Sequence, residues 1–202
     1  NLAPNEYDQS KALLNQALKD LNSNNYNEAI NNAQKSLSQL QASIENAQKL
    51  DNLETQIVQA VKRIRKIEAT GVNRTRNGVL VRFSKDVFES GSAKLNQKYF
   101  SIIKQLGQVI EGFPNLGVRV ESHSDSIGDA VENKRLTGRR VNAFMKYLLE
   151  NGNLSKDRLT AVGLGEKKPI ANNINKVGRD RNRRIDVIFL TRTFSSLKDK
   201  DL

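Results

Sequence analysis

The segment VRVESHSDSIGDAVENKRLTGRRV, from Val118 to Val141, decides how the second half of this 202-residue chain folds. Its first residues alternate apolar and polar, with Val118 and Val120 on one side, which is the two-residue period of a β-strand. The polar turn SDSIGD follows, and the remainder has the spacing of an amphipathic helix. The sequence therefore predicts a strand, a turn that holds Asp125, and a helix that carries Arg140.

Asp125 and Arg140 are the candidate binding residues of this segment. A carboxylate at the end of a strand and a guanidinium on the next helix can face each other across a crevice. Together they would hold a small zwitterion, because Asp125 can take an ammonium and Arg140 can take a carboxylate. Two alternatives stay open from the residues alone. Asp125 can cap the helix that starts near Asp129, and Arg140 can form a surface ion pair with Glu132 or Asp129.

Further strands and helices alternate around this segment. The predicted strands cover 79–83, 118–121, 159–162 and 185–190, and the predicted helices cover 94–111 and 129–151. Such alternation predicts an α+β domain in which helices pack against a sheet.

The N-terminal third has helical periodicity. Apolar residues recur at steps of three and four in 6–22 and again from Tyr26 to about Ala69, with the turn-forming string NSNN between them. The glycine-flanked stretch GVNRTRNG lacks apolar periodicity and is interpreted as a linker. We predict a long helical hairpin, a coiled-coil-like spacer, at 1–70, a linker at 71–78, the α+β domain at 79–192 and a C-terminal tail at 193–202.

Three spaced motifs carry a family resemblance: SHSDSIG at 122–128, NKRLTGRRV at 133–141 and GRDRNRR at 178–184. Together with DVFESGSAKL, which starts at Asp86, they resemble the OmpA-like peptidoglycan-binding domain of OmpA C-terminal domains, Pal lipoproteins and flagellar stator proteins. The positions in register are His123, Asp125, Gly128, Asn133, Leu136, Arg140, Gly178, Arg179, Asn182, Arg183 and Arg184. The departures from the family pattern are Ser122, Ser124, Thr137, Val141 and Glu89. The resemblance covers about residues 78–190 and implies a βαβαββ arrangement.

The resemblance also implies a function and a site. The function is non-covalent binding of peptidoglycan through the diamino acid of its stem peptide, which tethers the cell envelope to the wall. The implied ligand-binding residues are Asp125, Arg140, Asn133 and Arg183, and the implied pocket-lining residues are Phe88, Leu136 and Ser124. The diamino acid is commonly diaminopimelate, with ornithine and lysine left open. The implied location is the periplasm, with outer-membrane attachment left open and any membrane anchor in a segment outside this sequence.

Several of these residues also have a structural interpretation. Asn133 equally fits an amide that fixes a turn, and His123 is expected to form a hydrogen bond within the turn. If the NRR string enters a strand, one arginine points inward and the next outward, and the inward role is assigned to Arg183. Arg139 is expected to lie in water.

Composition argues against several classes of protein. The chain has no cysteine and one histidine, which argues against disulfides, thiolate metal sites and a histidine zinc site. No histidine lies beside a nucleophilic serine motif, and no pair of carboxylates is marked for glycoside chemistry. We therefore predict no cofactor, no metal and no enzymatic activity.

The positive charge favours a polyanionic partner. The net charge is +11, and the whole excess follows residue 70, where 25 basic residues face 14 acidic ones. Nucleic-acid binding is the alternative function, but aromatic residues are only 5% of the chain and are not interleaved with the basic ones, so no nucleic acid is predicted. A helical assembly protein with an anchoring C-terminal domain is a further alternative. A protein partner or self-association through helices 6–69 is compatible with wall binding.

Overall fold

The computed structural model describes residues 4–64 and 71–191, with side chains from residue 7 onward. The chain divides into two compact units, residues 1–55 and residues 56–202. This division lies inside the second helix, whereas the sequence placed the domain boundary at 71–78.

The first unit is built on two helices. Helix α1 covers Pro4–Asn22 and helix α2 covers Tyr26–Lys62. Small side chains make the contact between them: the Ser10 hydroxyl donates to the Ser36 carbonyl at 3.0 Å, and the Ser36 hydroxyl donates to the Ser10 carbonyl at 2.8 Å. The predicted pair of N-terminal helices is confirmed.

Helix α2 is shorter than the sequence predicts. It ends at Lys62, because the amide of Arg63 is shared between the carbonyls of Gln59 and Ala60 and the amide of Ile64 bonds Val61, which tightens the last turn. The remaining residues of the predicted helix, 65–69, lie outside the described residues.

The second unit contains a five-stranded mixed sheet. The strands are β1 (Gly71–Thr75), β2 (Gly78–Ser84), β3 (Gly117–His123), β4 (Leu159–Gly165) and β5 (Arg184–Leu190). The helices are α3 (Phe100–Glu111), α4 (Ala130–Glu150) and α5 (Lys176–Asn182). The strand order is β1-β2-β5-β3-β4, with β3 and β4 parallel and the other neighbours antiparallel. The predicted α+β fold class is confirmed.

The segment predicted as a linker, 71–78, is not a linker within the described residues. It forms β1 and the turn into β2, with Thr75 paired to Gly78. The sequence did contain a hairpin signal there, since Asn-Gly is a common turn dipeptide. Gly78 has φ of +131°, and an added Cβ would lie 2.0 Å from the carbonyl oxygen of Phe189, so only glycine fits.

Two helical predictions also needed correction. Helix α3 begins at Phe100, after a 3-10 turn at Gln97–Tyr99, and not at Lys94. The short helix α5 was missed because Val177 is the one large apolar side chain among its seven residues, which leaves no apolar periodicity. Its start is marked by Asn175, whose side chain accepts a hydrogen bond from the amide of Gly178 at 2.7 Å.

The apolar core lies between the sheet and the helices α3 and α4. Its largest fully buried members include Phe83, Phe144, Ile103, Leu106 and Leu148. The rings of Phe83 in β2 and Phe144 in α4 meet edge to face, with centroids 5.5 Å apart. This packing fixes α4 on the sheet.

One end of the sheet brings the sequence motifs together. Strands β3 and β4 end there, at His123 and Gly165, and the antiparallel β5 starts there, at Arg184. The amide of Ser124 donates to the Gly165 carbonyl at 2.9 Å. The loops after β3 and β4 and the loop before β5 therefore meet at this end. In the described part of the chain, no helix is long and apolar enough to cross a membrane.

Candidate ligand-binding site

Asp125 lies just beyond the end of β3 and is 4% exposed. Its Oδ1 accepts a hydrogen bond from the amide of Ile127 at 3.0 Å, and its Oδ2 accepts one from Nη1 of Arg183 at 2.5 Å. The carboxylate is therefore buried and paired with a cation that belongs to the third sequence motif, GRDRNRR.

The helix-capping alternative for Asp125 is wrong. Asp129 is the N-cap of α4, and its Oδ1 accepts from the amides of Val131 at 2.9 Å and Glu132 at 3.0 Å. Because another carboxylate caps the helix, the carboxylate of Asp125 is available for a different role.

Asn133 holds the Asp125 loop in shape. Its Nδ2 lies 3.1 Å from the Ile127 carbonyl, 3.4 Å from the Asp125 carbonyl and 3.0 Å from Oε2 of Glu166. These contacts match the turn-fixing reading of Asn133. Ser124 also helps to fix this loop, since its hydroxyl donates to the Asp125 carbonyl at 2.9 Å.

Arg140 is buried, at 8% exposed, although it is a cation on a helix. Its Nε donates to the carbonyl of Ser92 at 2.9 Å, and its guanidinium carbon lies 5.2 Å from the centroid of the Phe88 ring. Within the described residues, its Nη1 and Nη2 have no hydrogen-bond acceptor. The surface ion-pair alternative is wrong, because Glu132 pairs with Arg135 at 2.8 Å.

Arg140 shares its surroundings with Asp125 and Arg183. Burial lowers the pKa of Arg140 from its ordinary value, and the nearby positive charge of Arg183 lowers it further, while Asp125 acts in the opposite direction. Two guanidinium groups thus lie near one carboxylate. Arg183 is itself paired with Asp125 and Asp180, so it is the Nη side of Arg140 that can accept an additional anion.

The strand alternation that assigned the inward role to Arg183 does not apply, although Arg183 does contact Asp125. Arg183 comes before β5 at the end of α5, where it contacts both Asp125 and Asp180, so a strand's alternation does not apply to it. Arg184 is the more buried of the two, at 4% side-chain exposure against 30%, and pairs with Asp186 at 3.0 Å. Arg139 is exposed, as expected.

Asn182 is a structural residue whose role the sequence did not indicate. It is fully buried, and its side chain accepts from the amides of Ile170 and Ala171 and donates to the Ala171 carbonyl and to Oδ1 of Asn173, all at 2.8 to 2.9 Å. Asn173 in turn accepts from the amide of Ser126 at 3.4 Å. This chain of amides connects α5 to the Asp125 loop.

His123 does not form the expected hydrogen bond within the turn. It ends β3 and is 1% exposed, with Nε2 at 3.5 Å from Glu121 and 3.7 Å from Asp186. Neither ring nitrogen has a hydrogen-bond partner in the described structure. Burial lowers the pKa of His123, so the ring is neutral at neutral pH.

Of the predicted pocket-lining residues, Phe88 contacts Arg140 as described, Ser124 is buried in the Asp125 loop, and Leu136 is half-buried on α4. In the described ranges, no group of three or more His, Asp or Glu side chains could hold a metal ion.

A family comparison matches the region that contains this site. The model of the OmpA family matches residues 87–183. Residues 87–183 form an OmpA-family domain. It contains Asp125, Asn133, Arg140 and Arg183, and it lies inside the span of about 78–190 that the sequence motifs predicted.

Individual relatives agree with this assignment. Outer membrane porin F of Pseudomonas aeruginosa is 34% identical over 108 residues, which are 53% of this chain and 31% of the porin. The peptidoglycan-binding protein ArfA of Mycobacterium bovis is 28% identical over 101 residues, 50% of this chain and 31% of that protein. This chain thus spans about a third of the length of these relatives.

A solved structure has the same fold. A MotB-like protein from Desulfovibrio vulgaris superposes with a TM-score of 0.66 and 19% identity, covering 73% of this chain and 98% of that one. The OmpA-family domain therefore has the sheet-and-helix architecture found in a known structure.

Proposed function

We propose that the OmpA-family domain binds peptidoglycan non-covalently, through the diamino acid of the stem peptide, and so anchors the chain to the cell wall. The observation that carries the proposal is the buried guanidinium of Arg140, whose Nη donors have no acceptor among the described residues while a second arginine lies nearby. The two Nη groups of a guanidinium lie in one plane, and when neither has an acceptor they can bind both oxygens of a carboxylate. The name of a relative, a peptidoglycan-binding protein, supports the same ligand.

Asp125 would take the ammonium of the same group. Its Oδ2 already accepts from Arg183, which retains 30% side-chain exposure and also contacts Asp180. An ammonium can share the Asp125 carboxylate while Arg183 keeps its bond to Asp180. Asn133 serves the site by holding the loop.

The open donors of Arg140 favour diaminopimelate over ornithine or lysine. Diaminopimelate carries both an ammonium and a carboxylate at the end of its side chain, whereas the other two carry only the ammonium. The proposed location is the periplasm.

Co-sedimentation with purified sacculi tests the proposal. Arg140→Ala should weaken binding about thirtyfold or more, because it leaves a bound carboxylate unpaired in a buried site. Arg139→Ala is the matched control, since it removes the same charge from the neighbouring exposed position and should change binding little. Asp125→Asn should also release the protein, whereas Asp157→Asn, at an exposed site, should not.

Free diaminopimelate should compete better than lysine or ornithine at equal concentration. Far-ultraviolet circular dichroism should show unchanged helix content in each variant. Equal losses for Arg139→Ala and Arg140→Ala, with binding that falls steeply with salt, would instead favour a general attraction to polyanions such as nucleic acid.

A further inference from the structure

The first unit exposes large apolar side chains along both of its helices. Eight of them are 44% exposed or more: Tyr7, Leu14, Leu18 and Leu21 in α1, and Tyr26, Ile30, Leu37 and Ile44 in α2. The apolar periodicity of the sequence predicts the two helices but does not say which of these side chains pack between them. Small residues close the hairpin, and within the described part of the chain these large apolar side chains stay about half exposed.

Helix geometry places these side chains on one side of the hairpin. Buried small residues spaced by seven lie along one side of each helix: Ser10 and Ala17 in α1, and Ala29, Ser36 and Ser43 in α2. With 3.6 residues per turn, Leu14 and Leu18 are rotated by roughly 40° and 80° from Ser10.

The apolar residues of α2 are rotated in the same sense. Ile30, Leu37 and Ile44 each follow one of these buried small residues by one position, a rotation of roughly 100°. The two helices run in opposite directions, so equal rotations bring both stripes to the same side. The eight side chains therefore form one surface, named here the apolar face.

The opposite side of the hairpin is polar. There Nδ2 of Asn32 in α2 donates to Oδ2 of Asp20 in α1 at 2.8 Å. Among the charged side chains described between residues 7 and 44, only Lys11 lies at the margin of the apolar face. A partner that binds through ion pairs would need several charged residues on this face, and the face offers almost none. The face is therefore suited to another apolar surface, such as its own copy.

We propose that a second copy of this chain covers the apolar face, and that two hairpins form a four-helix bundle. The seven-residue step through Ile30, Leu37 and Ile44 is the spacing of a bundle core. A two-fold axis would pair the face with itself, as in most homodimers. Eight half-exposed large side chains exceed the patch of a few hundred Å² that monomers commonly show, and approach the ~800 Å² that each partner buries in a stable interface.

Sedimentation equilibrium of the full chain across the micromolar range tests this proposal. The expected mass is twice that of the 22.7 kDa chain. Leu37→Glu should raise the dimer dissociation constant roughly a hundredfold or more, because each dimer would bury two unpaired carboxylates. Ser38→Glu is the matched control, since it adds the same charge one residue further on, on the exposed outer surface, and should leave the dimer intact.

A second measurement covers the case in which Leu37→Glu disturbs folding. The chain has no cysteine, so Leu37→Cys introduces a single thiol that a bis-maleimide should cross-link between two copies. Ser38→Cys should cross-link much less. A chain that sediments as a monomer throughout would overturn the proposal and leave the face to a different protein. Equal effects of the charged variants at 37 and 38 would overturn it as well.

Discussion

At the scale of the residue, Arg140 and not Asp125 carries the unmet hydrogen-bonding capacity of the site. Both oxygens of Asp125 have donors, from Ile127 and Arg183, whereas the Nη groups of Arg140 have none among the described residues. The Nη groups are not among the fully buried unpartnered atoms, so they can reach solvent, and a ligand carboxylate could bond them without displacing a protein partner. Because hydrogen bonds to charged groups contribute about 1.5–3 kcal/mol, Arg140 is the residue most sensitive to substitution in the proposed function.

His123 gives the domain a pH dependence of stability. Glu121, Asp186 and the guanidinium of Arg184 act on its ring, and burial lowers its pKa below the ordinary value of 6.5. The unfolded chain therefore binds a proton at a higher pH than the folded chain does. The stability from the neutral ring is present above pH 6.5 and is lost as the pH falls from 6.5 through the lowered pKa of the folded state.

Urea unfolding at pH 7.5 and at pH 5.5 measures this effect. The free energy of unfolding of the natural chain should fall on acidification, by at most about 1.4 kcal/mol per pH unit for one proton. His123→Gln should remove most of that fall. The assignment is direct because the chain has a single histidine. An unchanged pH dependence in His123→Gln would show that carboxylates, and not His123, control stability in this range.

At the scale of the element, a close approach of α4 to β4 sets the position of Arg140. A Cβ added at Gly163 would lie 2.4 Å from the backbone nitrogen of Gly138 and 2.7 Å from the carbonyl carbon of Thr137. The hydroxyl of Thr137 also accepts a hydrogen bond from the amide of Gly165 at 2.9 Å. The helix therefore lies directly on the strand, with Arg140 less than one turn beyond the contact.

Two alanine substitutions at this contact should change the free energy of unfolding in opposite directions. Gly163→Ala should destabilise the domain by about 1–3 kcal/mol or more, because backbone atoms of α4 must move. Gly138→Ala meets nothing within 4 Å and should stabilise the domain by about 0.5–1 kcal/mol, since glycine is a poor helix former. Chemical denaturation of both variants provides the comparison, and destabilisation by Gly138→Ala would contradict the described packing.

At the scale of the whole molecule, the two units differ in charge. Residues 1–55 contain four basic and seven acidic residues, whereas residues 56–202 contain 29 basic and 15 acidic ones. The helical unit has the surface suited to association and the OmpA-family domain has the proposed wall site. Each could act without the other.

If both proposals hold, dimerisation should strengthen wall binding. Two sites in one dimer meet a repeating polymer, and linked sites can exceed the single-site affinity by about 10²–10⁴ where the geometry allows both to engage. Leu37→Glu should therefore lower retention on sacculi by tenfold or more at low protein concentration, while Ser38→Glu should not. Equal retention of the two variants would show that single domains bind independently.

The amino-acid sequence by itself determined the α+β class and the OmpA-family motifs, and those motifs supplied the candidate site residues. It could do so because the period of apolar residues indicates helices and strands locally, and because the fixed spacing of residues in the three motifs indicates a shared fold. It did not reveal β1, α5 or the partner of Asp125, since a short polar helix and an edge strand have no apolar period.

The tertiary structure alone decided which charges meet and which are left open. Arg183 reaches Asp125 across 58 positions of sequence, and Asn182 connects two loops through side-chain amides; neither contact has a local signature. The same holds for the hairpin, where buried Ser and Ala residues recur at seven-residue steps and Leu14, Leu18, Leu21 and Leu37 remain exposed. When a helix has two faces of similar apolar content, the face that packs is the one whose shape fits its neighbour. That fit depends on residues that are distant in the chain.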